Sequence, residues 1–290
     1  MSFLIEEVKI PKQKKPEWLK AKVPGGENFI KLKKLMSEKK LHSVCEEAHC
    51  PNLGECWNSG TATFMILGDI CTRSCGFCAV KTGSMGFVDK DEPRRVGEAI
   101  ASMNLKHAVI TSVNRDELYD GGAEIFANTI LEIKKRDEKI KIEVLIPDFQ
   151  GSNDALNILL NARPDILNHN IETVPRLYKT VRPQAHYHRS LELLDRAYKK
   201  NFVTKSGIMV GLGENNEEII ETLSDLRAVN CQIVTIGQYL QPSQEHLKVE
   251  RFVHPDDFKM FKKIGLEMGF RHVESGPLVR SSYHAAEHIK

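Results

Sequence analysis

From Thr61 onward the chain alternates short apolar, β-branched runs with longer segments whose apolar residues recur at helical spacing. The short runs are residues 63–70, 107–113, 141–147, 165–171, 203–212 and 231–240. Between and after them, 93–104, 121–138, 152–162, 189–201, 215–230 and 254–269 read as helices. Pro93 stands near a first turn, and Ser152 sits at a cap position before an apolar stripe. Ile125, Ile130 and Ile133 mark the buried side of the second helix. Strands alternating with helices predict βαβ units and a parallel sheet. Six such units suit a right-handed α/β fold, a partial (β/α)6 TIM-like barrel, with a doubly wound open sheet as the competing topology. Residues 1–60 carry no such alternation, and "VPGGEN" breaks them further, so they read as an extension packed on the barrel.

Composition narrows the class only slightly. With 290 residues, one large α/β domain is as expected as two domains. The net charge of +2 argues against a molecule built around a polyanion such as nucleic acid. The first forty residues are locally basic. That is either a solvated arm or a docking patch for an acidic partner, with Lys12, Lys14 and Lys15 at its centre. No targeting pattern opens the chain and no apolar run reaches membrane length, so a cytoplasmic setting with reduced thiols is the expectation.

In βα proteins the chemistry lies beyond the carboxyl ends of the strands. Each run here is followed by a polar segment: Cys71–Cys78, then 114–123, 147–150, Asn170 and Glu172, 211–214 and 238–243. Six of the seven cysteines fall between residues 45 and 78. Clustered cysteines in a reducing compartment point to metal rather than disulfides. Cys71, Cys75 and Cys78 form C-x3-C-x2-C, which can hold three irons of a [4Fe–4S] cluster and leave the fourth iron open. Zinc sites instead show paired ligands that close four positions, and His42 and His49 do not extend this loop. Bacterial ferredoxins need another spacing and a fourth cysteine before proline. Cys45, Cys50 and Cys56 form a second triplet, readable as a structural metal knot or as a second cluster site lacking one ligand. Cys231 opens the sixth run and reads as a core thiol, so a fourth ligand to that site would not be cysteine.

The C-x3-C-x2-C loop resembles that of the radical S-adenosylmethionine (SAM) superfamily. More of the chain resembles the lipoyl synthases, through "KPEWLKAKVPGGENF", "CEEAHCPNLGECW", "CTRSCGFCAV", "TSVNRDELYDGGA", "NHNIETVPRLYKTVRP", "MVGLGE" and "GPLVRSSYHA". The resemblance implies two [4Fe–4S] clusters and SAM as cofactors. It implies sulfur insertion at C6 and C8 of a protein-bound N6-octanoyl-lysine, with the auxiliary cluster as sulfur donor. Those carbons offer no acidic proton and no leaving group, so side-chain acid–base or nucleophilic catalysis has no purchase on them. By the same resemblance Cys71, Cys75 and Cys78 hold the radical-generating cluster. Cys45, Cys50 and Cys56 hold the auxiliary one, with Ser282 as its fourth ligand and Ser281 as the alternative. Asp120, Gly121 and Gly122 match the SAM amino-group loop, which also reads simply as a helix start. Asn114, Arg115, Glu172 (toward a ribose hydroxyl) and Arg189 (toward the SAM carboxylate) are further cofactor contacts, and Arg280 is expected near the auxiliary cluster.

On this reading the chain divides into an extension (1–60), a radical SAM barrel (61–275) and a tail with the RSSY motif (276–290). The implied partners are octanoylated lipoyl-carrier domains, namely 2-oxoacid dehydrogenase acyltransferase subunits and the glycine-cleavage H protein. A small redox protein would donate electrons and an iron–sulfur carrier would repair the spent cluster; no nucleic acid or membrane is involved. A two-cluster electron carrier is a rival, but it needs neither a large barrel nor an open iron. Methylthiotransferases would bring an RNA-binding appendage, and biotin synthases lack the C-x4-C-x5-C/RSSY pair.

Overall fold

The computed structural model describes residues 14–20, 25–48, 50–58, 61–84, 86–103, 105 and 107–287. Seven strands run parallel in one sheet in chain order: β2 (Thr63–Ile66), β5 (His107–Ser112), β6 (Lys141–Leu145), β7 (Ile166–Asn168), β8 (Val203–Val210), β9 (Ile233–Gln238) and β10 (His272–Gly276). A doubly wound sheet would reverse strand order at a switch point; this one never does. The helices α4 (Glu92–Ser102), α5 (Ala123–Arg136), α6 (Asn153–Asn161), α8 (Tyr187–Lys199), α9 (Asn216–Ala228) and α10 (Pro255–Glu267) make the crossovers, with a single turn, α7 (Tyr178–Val181), ahead of α8. The six expected runs each contain a strand and the six expected helices are all present. β10 is a seventh parallel strand not anticipated, because "HVESG" is short and carries one buried residue, Val273.

Local chemistry explains the helix starts. Ser152 Oγ accepts the Ala155 N–H at 3.2 Å, capping α6. Asn215 and Glu218 form a reciprocal capping box on α9. Pro93 occupies the first turn of α4, where a missing N–H costs nothing. Each helix then buries one stripe, such as Ile125, Phe126, Ile130 and Ile133 of α5, against the sheet.

Four neighbouring strands share a buried polar cluster. Glu143 of β6 accepts from Lys205 Nζ of β8 at 2.8 and 3.0 Å and from Asn168 Nδ2 of β7 at 2.9 Å. His107 of β5 stands 3.7 Å from the same carboxylate. Burial opposes the charge on Glu143, but Lys205 overcomes it and holds the carboxyl down at about 2.

The sheet does not close on itself. The N-terminal residues supply its outer strand: β1 (His42–Ser43) pairs antiparallel with β2, while α1 (Glu27–Glu38) and α3 (Leu53–Asn58) bury Leu32, Met36 and Trp57 in the common core. A short helix, α2 (Val44–Glu47), follows β1. β10 is the opposite edge. The C-terminal residues leave β10 and return across that open side. Val279 lies so close to β9 that any Cβ at Gly237 would overlap its carbonyl oxygen. The Leu278 carbonyl accepts from Asn52 Nδ2 at 2.7 Å, and Ala285 is fully buried.

Candidate active site

The Cys71–Cys78 loop hangs between two short strands, β3 (Ile70–Cys71) and β4 (Lys81–Thr82), which pair parallel and pin its ends. Cys71 Sγ accepts the N–H groups of Asn114 at 3.3 Å and Arg73 at 3.4 Å, with Asn114 Nδ2 at 3.7 Å. Gly76 donates to the Val181 carbonyl at 3.0 Å and accepts from Leu247 N–H at 2.9 Å. A Cβ at Gly76 would stand 2.9 Å from Leu247 Cγ, so this position favours glycine. Phe77 packs with Val181, Leu212 and Tyr239, and His246 Nε2 lies 2.9 Å from the Cys78 carbonyl oxygen. Burial pushes the thiols of Cys75 and Cys78 upward, the latter to about 12, while the Arg182 charge works the other way on Cys75.

The other mouth residues have definite partners. Arg73, inside the loop, bonds Asp116 at 2.6 and 2.8 Å and Asp148 at 2.6 Å. Asp148 also accepts from Arg189 at 3.2 Å. Its carboxyl is buried, yet Arg73 holds it well below the usual carboxylate range. Arg189, expected at the SAM carboxylate, is thus engaged by Asp148. Asp120 accepts the N–H groups of Gly122 (2.9 Å) and Glu124 (2.8 Å) and so caps the first turn of α5. The Gly121–Gly122 turn is left-handed and rests on Phe149 and Leu67. Glu172 has φ 67° and is pinned to β8 through Gly207 and Met209. Its carboxylate accepts from Asn170 Nδ2 at 3.1 Å, and burial raises its carboxyl. Arg115 is buried and grips backbone carbonyls, so it reaches the neighbouring loops rather than the centre of the mouth.

Three groups that sequence reasoning did not single out complete the mouth: Arg73, Asp148 and Arg182. Arg182 donates to the Asn170 carbonyl at 2.8 Å and lies over the Tyr178 ring. Its Nε, together with Asn114 Oδ1 and Asn170 Oδ1, is buried with no hydrogen-bond partner. Buried polar atoms are normally satisfied. Orphans at the mouth are what a polar cofactor such as SAM would satisfy. The only signal for Arg182 in the sequence is its place in "TVRP".

The second triplet lies on the extension. Cys45, Cys50 and Cys56 line one pocket with Asn52, Thr61, Thr63, Arg280, Ser282 and Tyr283. Ser282 Oγ accepts from Thr63 Oγ1 at 2.9 Å. The Cys50 thiol hydrogen-bonds Cys45 and, against burial, lowers it, with help from Ser43 and Thr63; the same contact pushes Cys50 up. Burial raises Cys56 to about 12. Arg280, half-buried, stands beside Cys50 and donates to the Val279 carbonyl at 2.6 Å, and among the described residues it has no carboxylate in ion-pair range. Three thiols, a hydroxyl and a guanidinium around one pocket fit an anionic thiolate-ligated cluster. Cys231 is fully buried, its thiol on the carbonyls of Ile233 and Thr204, as expected of a core thiol. Among the described residues no three His, Cys, Asp or Glu side chains are gathered about one point as for a single ion, and no helix is long and apolar enough to cross a membrane.

An open parallel barrel with a three-cysteine loop at its mouth defines a radical SAM enzyme, and the model of that superfamily matches residues 65–226. Residues 4–50 match the N-terminal domain of lipoyl synthase of the radical SAM family. The chain is 59% identical to lipoyl synthase of Rubrobacter xylanophilus, covering 94% of this chain and 86% of that protein. It is 53% identical to mitochondrial lipoyl synthase of Nematostella vectensis over the whole of both. The chain belongs to the lipoyl synthase family. It is an enzyme that inserts sulfur into a protein-bound octanoyl chain, using SAM and [4Fe–4S] clusters, and lipoyl-carrier proteins are its substrates. Among solved structures it is similar to Streptococcus suis SuiB bound to S-adenosylmethionine, with TM-score 0.59, 12% identity and coverage of 78% of this chain and 54% of that one. The hydrogenase maturase HydG from Carboxydothermus hydrogenoformans gives 0.56 and 14%, covering 90% and 76%. At such identities the likeness speaks for the fold alone.

Proposed function

We propose that Cys71, Cys75 and Cys78 hold the cluster that binds SAM, and that Cys45, Cys50, Cys56 and Ser282 hold the auxiliary cluster that donates sulfur. The observation that carries the second half is the convergence of three N-terminal thiols and a C-terminal hydroxyl on one pocket. When bound, these groups supply a 5′-deoxyadenosyl radical, which takes hydrogen from saturated carbon, and the sulfur that replaces it. The chain's own residues bind, orient and shield. Asn114 and the Arg73 N–H donate to Cys71 Sγ and so orient it. The unpartnered atoms of Asn114, Asn170 and Arg182 offer polar contacts to SAM, with Glu172 beside them for a hydroxyl. Asp120, Gly121 and Gly122 present turn backbone to the same ligand. Arg189 and Arg115 contribute by fixing Asp148 and the flanking loops. Arg280 offsets negative charge in the auxiliary pocket, whose serine ligand is a harder and weaker partner for iron than thiolate and is therefore readily released.

In this reading residues 1–60 are the extension carrying auxiliary ligands, 61–275 the radical SAM barrel and 276–290 the tail supplying Ser282. The setting is cytoplasmic, with a small redox protein as electron donor and an iron–sulfur carrier restoring the spent cluster. The acyltransferase subunits of 2-oxoacid dehydrogenases and the glycine-cleavage H protein are the preferred carriers. Anaerobic turnover of an octanoyl-lysine peptide with SAM, followed by mass spectrometry, tests the assignment. A mass gain matching two inserted sulfurs is expected, and SAM cleavage without any sulfur in the peptide would reject it.

A further inference from the structure

β2 leaves the sheet at Ile66 through two successive left-handed residues, Leu67 (φ 68°) and Gly68 (φ 85°). Glycine adopts that conformation freely, but in leucine it crowds Cβ against the backbone. A buried leucine persists there only if its surroundings hold it. Both polar groups of its backbone are held, by charged side chains from different elements. The Leu67 N–H donates to Glu92 Oε2 at 2.7 Å, and the Leu67 carbonyl accepts from Arg115 Nη1 at 3.2 Å. Glu92 opens α4, and Arg115 follows β5. Both are buried, at 5% and 2% exposure, so neither hydrogen bond is diluted by water. Arg115 is itself fixed by Glu117 at 2.5 Å and the Phe87 carbonyl at 3.1 Å. The Leu67 side chain rests on Gly122, where any Cβ would overlap its Cδ1. Four residues after Leu67 comes Cys71.

We infer that Glu92 and Arg115 are positioning residues: they clamp the Leu67 backbone and thereby set the Cys71 loop against the Asp120–Gly121–Gly122 turn. This rests on the reading that Cys71, Cys75 and Cys78 hold the SAM-binding cluster. A cavity of about 530 Å3, lined by Leu67, Gly68, Glu92 and Arg115 among others, lies beside the clamp, so the turn has room to relax when one jaw is removed. Relaxation would shift the ligand loop and the SAM turn relative to one another. Displacements of about 1 Å suffice to slow a positioned reaction by about a hundredfold.

The test uses the anaerobically reconstituted full chain, with SAM titrated against the EPR signal of the reduced protein. Iron content, 5′-deoxyadenosine formed per lipoyl product and Tm are measured on the same samples. Glu92→Gln keeps an acceptor oxygen and should stay within about twofold of wild type in SAM affinity. Glu92→Ala should keep its iron, bind SAM about tenfold more weakly and waste more SAM per product. Adding Leu67→Gly to Glu92→Ala should recover part of that loss, because glycine holds the left-handed turn without a grip. If Glu92→Ala does not fold, Glu92→Asp, one methylene shorter, should show the same pattern more mildly. Wild-type SAM affinity and coupling in Glu92→Ala, or in Glu92→Asp where that is the variant measured, would overturn the clamp, as would a lowered Tm with no recovery in the double variant. Replacing Cys71, Cys75 and Cys78 by Ala separates the two levels. If that protein still responds to SAM, the cysteine reading fails; if it does not and Glu92→Ala is silent, the clamp alone fails.

Discussion

Thr63 Oγ1 donates a hydrogen bond of 2.9 Å to Ser282 Oγ across a sequence separation of 219 residues, joining the first parallel strand to the C-terminal tail. The hydroxyl of Ser282 is thereby held in the same pocket as the three N-terminal thiols. If Ser282 acts as a weak ligand that must let go, Ser282→Cys should assemble its cluster and still cleave SAM, yet insert far less sulfur. Ser282→Ala should give a labile cluster, and Ser281→Ala should be tolerated. Single-turnover lipoyl product, with iron counted in the same samples, decides. Full product from the cysteine variant would dismiss the weak-ligand argument, and a labile cluster in Ser281→Ala alone would move the ligand by one residue.

Wild-type protein should carry about eight irons after reconstitution, on the two four-iron-cluster assignment. Changing Cys71, Cys75 and Cys78 to Ala should remove about half of them and all SAM cleavage. Changing Cys45, Cys50 and Cys56 should remove the other half, spare SAM cleavage and abolish sulfur transfer. Lipoyl product from the second variant would show that the sulfur comes from elsewhere.

The basic arm gives a kinetic prediction. Lys14 and Lys15 are exposed, and Lys12 lies outside the described residues. If the arm steers an acidic carrier domain, neutralising Lys14 and Lys15 should raise KM for the carrier and leave KM for a short octanoyl peptide unchanged. The effect should fade with salt, since screening acts over about 8 Å at physiological ionic strength. Equal changes for both substrates would dispose of the docking role.

His169 is buried neutral. Nδ1–H donates to the Ile146 carbonyl at 2.8 Å, and Nε2 lies 2.9 Å from Ser190 Oγ. Burial, aided by the Arg182 charge, lowers its pKa to about 4. A depressed pKa means that the unfolded chain takes up a proton the folded one refuses. The stabilisation is present above the unfolded value near 6.5 and is lost as pH falls toward 4. Between pH 7 and pH 5 this amounts to about 2 kcal/mol. Denaturant titrations of wild type and His169→Gln at the two pH values should differ by that amount, with wild type the more pH-sensitive. A pH-independent difference would place the titration elsewhere.

Removing one partner of a buried ion pair costs more than removing both. Glu143→Gln should therefore destabilise the protein by about 3–5 kcal/mol, because Lys205 loses its carboxylate. Glu143→Leu with Lys205→Met should recover much of that in Tm. A double variant no better than the single one would mean that the pair contributes net stability.

The barrel was readable from periodicity because burial is written in the spacing of apolar residues. Runs such as "HAVITSV" and caps such as Ser152 report local physics and fall where expected. β10 escaped because a short edge strand with one buried residue leaves almost no periodic signal. The two cysteine triplets were legible as candidate ligand sets from residue type and from family resemblance. The arginine network was not. Arg73 finds Asp116 and Asp148, and Arg189 finds Asp148, from segments far apart in the chain. Residue type says that an arginine will seek an anion, but only the fold decides which one.

The pocket that takes Ser282 is built from both ends of the chain, whereas the Cys71–Cys78 loop is bounded by strands only ten residues apart. During synthesis on the ribosome, the β3–β4 ribbon that pins the loop's ends can pair while later strands are still being translated, and the loop's contacts with Val181, His246 and Leu247 follow. The second pocket must wait until residues beyond Leu278 have emerged. A chain cut short near that point would keep its three N-terminal thiols but lack the segment that covers them, leaving any iron–sulfur centre there facing solvent. The two sites thus differ in how local their making is: one is held at its ends by neighbouring strands, while the other closes only when residues 219 apart in sequence meet.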